Sequence, residues 1–197
     1  MRRLSILLAL VASLAVVGAA SAAPNKLRTE VGGEAQAFVF SSTSVQLRVS
    51  GNDNGVGYAA VYTNAKSPAG KLLIEIDMGF RIAAPEGQNG YVQGGAPRLT
   101  IPIDMDGDLL WDDFASLDWA SCGGTVDATG LLTSSVLVST TSSTCAVTLN
   151  SGAGGTYANW DAFAAANPTY RIAKGQQAFI IADWGPTRVT LTGIDLN

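Results

Sequence analysis

The chain has 197 residues, of which 12 are basic, 16 are acidic and none is histidine, and its formal net charge is −4. The absence of histidine excludes Ser-His-Asp and Cys-His hydrolases, and it excludes zinc and copper sites with histidine ligands. Because the charge is modestly acidic and the basic residues are scattered, the composition argues against nucleic acid or anionic lipid as a partner.

The first 22 residues have the pattern of a secretory signal peptide. Arg2 and Arg3 form a basic start, residues 4–18 are almost all apolar, and small residues at 20–22 precede the expected cleavage site. The apolar run is too short for a comfortable membrane span, and no later stretch is apolar for long enough. We therefore predict a secreted mature protein without a transmembrane segment.

Residues 23–34 are polar and glycine-rich, and they are interpreted as a flexible lead-in to a single domain over residues 35–197. Within that domain, runs rich in Val, Ile, Thr, Tyr and Phe recur between clusters of Gly, Asn, Ser and Pro, which is typical of β-strands. The predicted strands are 36–40, 44–50, 56–63, 71–83, 98–103, 114–119, 133–140, 144–149, 170–173, 178–182 and 188–196.

Several of these runs alternate between apolar and polar residues. In the run 44–50, for example, Val45, Leu47 and Val49 share one strand face. The same pattern is found at 71–77 and 188–194. Alternation predicts sheets with one buried and one solvated face, and no strand–helix alternation is visible. The predicted fold class is therefore all-β, with two packed antiparallel sheets.

One short helix is predicted near the C-terminal end, at about 159–167. Asn159 can cap its N-terminus, and Trp160, Phe163 and Ala164 have helical spacing before an Asn-Pro pair ends it. We expect this helix to cover one end of the sandwich.

Cys122 and Cys145 are the two cysteines of the chain. In an oxidising compartment they predict one disulfide. The alternative is a reactive thiol pair, but the two residues lack the C-x-x-C spacing and the flanking basic groups that lower a thiol pKa.

The densest chemical signal is the acidic stretch 104–113. Alternating carboxylates in a tight loop can direct their oxygens at one Ca²⁺ ion. The spacing resembles positions 1, 3, 5 and 9 of calcium loops of the D-x-D-x-D-G type. The resemblance implies four side-chain ligands and one backbone carbonyl: Asp104, Asp106, Asp108, Asp112 and the carbonyl of Leu110.

The stretch departs from that family at two positions. Leu109 stands where the family has glycine, and a positive φ is costly for leucine. Ala115 stands where the family usually has an acidic residue. The alternative interpretation is a plain β-hairpin, in which Asp106 and Gly107 form a two-residue type I′ turn and the other aspartates solvate it.

Exposed aromatic rings can lie against the apolar face of a sugar, so the tryptophans are candidate glycan contacts. Trp184 lies in a turn between two predicted strands and Trp111 lies in the acidic stretch, so both are expected at the surface. Trp119 and Trp160 are expected in the core. Three tyrosines beside glycine-rich loops are weaker candidates: Tyr58, Tyr62 and Tyr91.

The end of the chain, at 178–182 and 189–196, resembles the last strands of secreted carbohydrate-binding modules. The resemblance implies a jelly-roll-like sandwich that often holds a structural calcium ion. The predicted function is therefore non-catalytic binding of glycan or another cell-surface polymer, with Ca²⁺ as a structural cofactor.

Two other functions remain open. A structural or protein-interaction component of the cell envelope predicts buried tryptophans and an apolar patch or an open sheet edge. A carboxylate-dependent glycoside hydrolase predicts two acidic side chains that face each other across a cleft. Glu75 and Asp77, on one face of a predicted strand, are the candidates for that pair, and an ordinary solvated strand face is the simpler interpretation.

Overall fold

The computed structural model describes residues 26–50, 57–63, 68–94, 96–152, 155–183 and 185–197. The predicted signal peptide lies outside these residues. The described residues form two antiparallel sheets and one short helix, which confirms the all-β two-sheet sandwich. Within these ranges, no helix is long and apolar enough to cross a membrane.

Thirteen strands, one 3₁₀ turn and one helix follow each other along the described residues. In chain order they are β1 (Leu27–Gly32), β2 (Ala35–Ser41), β3 (Ser44–Val49), β4 (Tyr58–Thr63), the 3₁₀ turn (Leu73–Glu75), β5 (Gly79–Ala83), β6 (Arg98–Asp104), β7 (Asp113–Asp118), β8 (Val136–Ser139), β9 (Val147–Leu149), β10 (Thr156–Tyr157), α1 (Trp160–Ala166), β11 (Arg171–Ile172), β12 (Phe179–Ala182) and β13 (Thr187–Asp195).

The two sheets have the connectivity of a jelly roll. The eight-stranded sheet, called sheet A, has the order β1-β4-β12-β6-β7-β9-β10, with β11 paired to β6. The five-stranded sheet, called sheet B, has the order β2-β3-β13-β5-β8. From β3 to β6 the chain changes sheet at each connection, and β12 and β13 return between the early strands of the two sheets. This return is the jelly-roll arrangement that the resemblance to carbohydrate-binding modules implied.

The core consists of the apolar residues that alternate with polar residues along the strands. In β13, Val189 and Leu191 are fully buried, and Ile194, which is out of phase with them, is also buried. The phase changes at Gly193, whose φ is 58°, where a bulge interrupts the pairing of β13 with β5. A glycine in the left-handed region allows the extra residue, and Ile194 thereby reaches the core.

Helix α1 begins where the sequence predicted. The Asn159 side chain accepts the backbone N–H of Ala162 at 2.8 Å, which caps the N-terminus. Trp160 and Phe163 are buried, and the Trp160 indole N–H donates to the carbonyl of Leu73 at 2.8 Å. The helix is thus fixed against the 3₁₀ turn by packing and by one buried hydrogen bond.

The lead-in predicted over 23–34 is wrong for the residues of β1. This strand pairs with β4 along its whole length, from Leu27 opposite Thr63 to Gly32 opposite Tyr58. Most of its residues are exposed because β1 is the edge strand of sheet A. An edge strand with few buried residues lacks the apolar alternation by which strands are recognised in a sequence.

The single strand predicted over 71–83 is also wrong, because it begins only at Gly79. The residues before it form the 3₁₀ turn, where the Glu75 carboxylate accepts the N–H of Leu72 at 2.8 Å. Ile74 is 66% exposed, whereas Leu73 is buried, so the apolar alternation of this segment does not mark a buried strand face. The other predicted strands are present, and several are shorter than predicted.

Candidate functional site

The acidic loop, residues 105–112, joins β6 to β7. Asp104 precedes it and is fully buried at the end of β6. Its two carboxylate oxygens accept the backbone N–H of Gly107 at 2.7 Å and that of Leu109 at 3.1 Å. The two-residue turn predicted at Asp106 and Gly107 is therefore wrong, because the whole loop separates the strands and folds around the Asp104 carboxylate.

Three of the four predicted calcium ligands converge in this loop. Asp104, Asp106 and Asp108 each offer one carboxylate oxygen, and these oxygens lie within 4.8 Å of one another. Asp112 is outside this group. Its carboxylate accepts the N–H of Met105 at 2.6 Å. Asp112 therefore ties the two ends of the loop together.

Leu109 adopts the backbone conformation that the calcium-loop pattern assigns to glycine. Its φ is 68°, and no other non-glycine residue among those described has a positive φ. This conformation costs a residue with a Cβ atom about 1–2 kcal/mol. The Leu109 N–H donates to the Asp104 carboxylate, and the Leu109 carbonyl accepts the N–H of Lys174 at 2.8 Å. Hydrogen bonds on both sides of the residue thus hold a strained backbone in place.

Beside the acidic loop, four aromatic side chains lie in a row across sheet A. The ring centroids of Tyr62 and Phe179 are 5.4 Å apart, those of Phe179 and Phe114 are 5.6 Å apart, and those of Phe114 and Trp111 are 4.8 Å apart. These four residues are called the aromatic row below. The row begins on β4, crosses β12 and β7, and ends in the acidic loop.

The aromatic row lies on the outer face of sheet A. The strand neighbours Ile180 and Ala115 are fully buried, whereas Phe179 and Phe114 are only partly buried. Because successive side chains of a strand point to opposite faces, these rings point away from the core. Trp111 is 46% exposed and is the most accessible ring of the row.

At the Tyr62 end, the row borders a polar cleft of about 530 Å³. Arg28, Glu30, Gln176 and Gln177 line it, and the guanidinium of Arg28 lies 5.6 Å from the centre of the Tyr62 ring. Burial and the charge of Glu30 raise the pKa of Tyr62, while Arg28 lowers it, and the net shift is upward. The cleft thus offers carboxylate, amide, guanidinium and neutral phenol groups beside an aromatic ring.

Tyr58, at the start of the same strand as Tyr62, is hydrogen-bonded to one of the residues that line the cleft. Its hydroxyl donates to the Glu30 carboxylate at 2.7 Å, and this hydrogen bond is the main reason why the pKa of Tyr58 is raised. The Tyr58 ring lies over Gly32, where an added Cβ would come within 2.3 Å of a ring carbon. Gly32 is therefore needed for close approach of this ring to β1.

The other predicted residues are placed as follows. Trp184 lies outside the described residues. Trp119 and Trp160 are buried, as predicted for core tryptophans. Glu75 belongs to the 3₁₀ turn, so no strand face presents it together with Asp77. Both cysteines take part in the predicted disulfide, which joins Cys122 to Cys145.

A second, mostly apolar cleft of about 420 Å³ lies elsewhere on the molecule. Tyr91, Trp119, Val126 and Leu131 are among the residues that line it. The Trp119 indole N–H donates to the carbonyl of Gly94 at 3.0 Å, so its polar atom is already satisfied by the protein. The cleft therefore adds apolar surface but few polar groups that could orient a ligand.

The sequence interpretation missed Phe114 and Phe179. Both occupy the outward phase of their strands, between residues that are buried. An aromatic residue at an outward position is the signal that could have identified them. No protein-family model, no curated protein and no solved structure matches this chain. The functional proposal therefore rests on the residues of the site.

Proposed function

We propose that this protein is a secreted, non-catalytic glycan-binding domain and that it holds polysaccharide along the aromatic row of sheet A. The observation that carries the proposal is the row itself, in which four rings in contact cross the outer face and end at the exposed Trp111. Contiguous apolar surface on the outside of a domain is typical of a binding site.

The chemistry of the row and of the polar cleft suits a sugar polymer. The C–H face of a sugar ring packs on an aromatic side chain, while its hydroxyl groups need hydrogen-bond partners. Arg28, Glu30, Gln176 and Gln177 supply donors and acceptors at the Tyr62 end. A mostly apolar surface with a few polar groups that fix orientation is the usual design of a small-molecule site.

The strands that carry the row favour binding by a rigid surface. Tyr62 belongs to β4, Phe179 to β12 and Phe114 to β7, and β12 is hydrogen-bonded to both β4 and β6. Side chains held by a sheet lose little conformational freedom when a ligand binds, so more of the contact energy appears as affinity.

We also propose that one Ca²⁺ ion binds the acidic loop as a structural cofactor. Three carboxylate oxygens within 4.8 Å of one another support this proposal. Carboxylates at this separation repel each other, and a divalent cation would offset the repulsion. Since Trp111 belongs to the same loop, the ion would also order the exposed end of the aromatic row. A rise of the thermal midpoint in millimolar calcium over that in excess chelator is the expected result.

A protein-interaction role in the cell envelope is the second candidate, and a different surface favours it. Strand β2 is the free edge of sheet B, and Phe38, Val39 and Phe40 on it are 44%, 47% and 64% exposed. An open sheet edge with exposed apolar side chains can pair with another chain. This surface lies on the other sheet, so its variants are separable from those of the row.

The test is retention of the purified protein on insoluble cellulose, chitin, mannan and peptidoglycan. Trp111→Ala should abolish retention on the polymer that binds the parent. Phe40→Ala is the matched control, because it removes an exposed aromatic ring from sheet B. Loss of retention with Phe40→Ala and not with Trp111→Ala would contradict the glycan site on the aromatic row, because it would place polymer binding at β2.

A further inference from the structure

The outer face of sheet B carries two arginines that neither of these proposals uses. Arg48 of β3 and Arg188 of β13 are direct cross-strand partners. The neighbours Leu47 and Val189 are fully buried, so both arginine side chains lie on the outer face. The Cβ atoms of such partners are about 4.5–5.5 Å apart, and like charges placed there destabilise a sheet.

No carboxylate among the described residues neutralises this pair. The ion pair found within those residues joins Arg98 to Asp183, elsewhere on the molecule. The contact of Arg188 is instead with the ring of Tyr91, whose centre lies 5.2 Å from the guanidinium carbon. Tyr91 also exchanges two backbone hydrogen bonds with Arg188, at 2.8 and 3.0 Å. The Tyr91 ring thus positions the Arg188 guanidinium but does not neutralise its positive charge.

Both arginines also have unused hydrogen-bond donors. The Nε atoms of Arg48 and Arg188 are buried and have no hydrogen-bond partner in the described part of the chain. A buried donor without an acceptor is costly, and arginine does not lose its proton to avoid that cost. Two cross-strand neighbours with unsatisfied donors therefore favour an acceptor, and their two positive charges favour one that is negatively charged.

We propose that Arg48 and Arg188 form a binding site for one oxyanion group, a sulfate, phosphate or carboxylate. The planar fork of each guanidinium can donate two parallel N–H···O hydrogen bonds to such a group. One oxyanion held between them would offset the repulsion of the pair. Gln36, the cross-strand partner of Arg48 on β2, adds an amide at the border of the site.

This site is independent of the glycan proposal. The aromatic row belongs to sheet A, whereas the arginine pair lies on the outer face of sheet B. Removal of Trp111 should leave oxyanion binding unchanged, and removal of Arg188 should leave the row unchanged. The oxyanion can be a free ion or a substituent of an acidic polymer, because both present the same oxygens to the two guanidinium groups.

The first experiment measures the thermal midpoint with inorganic sulfate and phosphate against chloride at constant ionic strength. The parent protein should show a rise that saturates at low millimolar oxyanion. Arg48→Gln and Arg188→Gln should each lose this increment relative to their own chloride baseline. Arg81→Gln is the matched control, since Arg81 is an exposed arginine of sheet B, opposite Thr192, and should keep the increment.

The second experiment tests whether the oxyanion is a free ion or a substituent of a polymer. Dextran sulfate and uncharged dextran are the probes. If the oxyanion belongs to a polymer, Arg188→Gln should weaken binding of dextran sulfate about tenfold, the effect expected from lost charge-assisted hydrogen bonds. If dextran sulfate binds parent and variant equally while sulfate still stabilises only the parent, the ligand is a free ion.

The proposal is overturned if no oxyanion raises the thermal midpoint above its value in chloride. It is also overturned if Arg81→Gln loses as much of the oxyanion-dependent rise as Arg188→Gln does. The latter result would mean that only overall charge matters. Should a glutamine variant fail to fold, Arg48→Lys takes its place. Lysine keeps the charge but lacks the planar fork, so it too should lose the saturable increment.

Discussion

The ring centroids of Trp111 and Phe114 lie 4.8 Å apart, although Trp111 belongs to the acidic loop and Phe114 to β7. This contact joins the loop to the aromatic row. Whatever orders the loop therefore also sets the position of the most exposed ring of the row. The proposed calcium ion and the proposed glycan surface are therefore coupled through this pair.

Leu109 should be more tolerant of glycine than of alanine. Both replacements remove the same side chain contacts, but only glycine is free of strain at a φ of 68°. We expect Leu109→Gly to be about 1–2 kcal/mol more stable than Leu109→Ala in urea unfolding. Equal stability of the two variants would contradict the left-handed conformation of this residue.

Asp108→Asn and Asp112→Asn should respond differently to calcium. Asparagine can still accept the N–H of Leu110 or of Met105, so the backbone of the loop is preserved in both variants. Asp108→Asn should lose the calcium-dependent rise of the thermal midpoint. In the parent, calcium at a hundred times its Kd should stabilise the fold by about 2.7 kcal/mol.

In chelator, Asp108→Asn should be at least as stable as the parent, because removing one carboxylate relieves the repulsion among three. Asp112→Asn should keep the calcium-dependent rise. If neither the parent nor the variants respond to calcium, the carboxylates only organise the loop through their hydrogen bonds.

The disulfide should contribute substantially to stability. It joins residues 23 positions apart, and closing a loop of this size typically stabilises a protein by about 2–4 kcal/mol. We expect the double variant Cys122→Ser and Cys145→Ser to lose that amount in urea unfolding. Reduced parent protein serves as the control and should unfold at nearly the same urea concentration as the variant.

Asp127 should contribute stability that is lost in acid. Hydrogen bonds from the Thr129 side chain and from the N–H groups of Leu131 and Thr129 hold the pKa of Asp127 below its ordinary 3.8. Because the folded pKa lies below the unfolded one, the contribution is present above about pH 4 and disappears as the pH falls through the folded pKa.

Asp127→Asn should accordingly lower the thermal midpoint at neutral pH, and the difference from the parent should shrink as the pH is lowered below 3.8. Midpoints measured at intervals between pH 7 and pH 2.5 test this. A difference that stays constant over the whole range would show that the charge of Asp127 does not contribute.

The sequence predicted the fold wherever burial is one-sided. Val189 and Leu191 alternate with polar residues because one face of β13 meets the core, and this pattern is visible locally. The 3₁₀ turn escaped prediction because its position depends on a distant contact, the hydrogen bond from Trp160 to the carbonyl of Leu73. No pattern within residues 71–77 indicates that partner.

In the candidate site, too, the sequence predicted the local feature and not the one that depends on distant residues. The spacing of Asp104, Asp106 and Asp108 is local, and their convergence follows from it. The aromatic row is not local, because Tyr62 and Phe179 meet only through the register of β4 and β12, which are far apart in the chain. A single sequence carries no signal for that register, so the row became visible only in the folded protein.

The most direct test of the glycan site is the NMR signal of the Trp111 indole N–H, assigned by comparison with Trp111→Phe. Soluble cello-, chito- and manno-oligosaccharides are added in turn. The Trp119 and Trp160 indoles are internal controls, because they donate to backbone carbonyls within the fold. The proposal predicts that a binding oligosaccharide shifts the Trp111 signal and leaves these two unchanged. Binding with an unshifted Trp111 signal, or with shifts confined to sheet B, would contradict it.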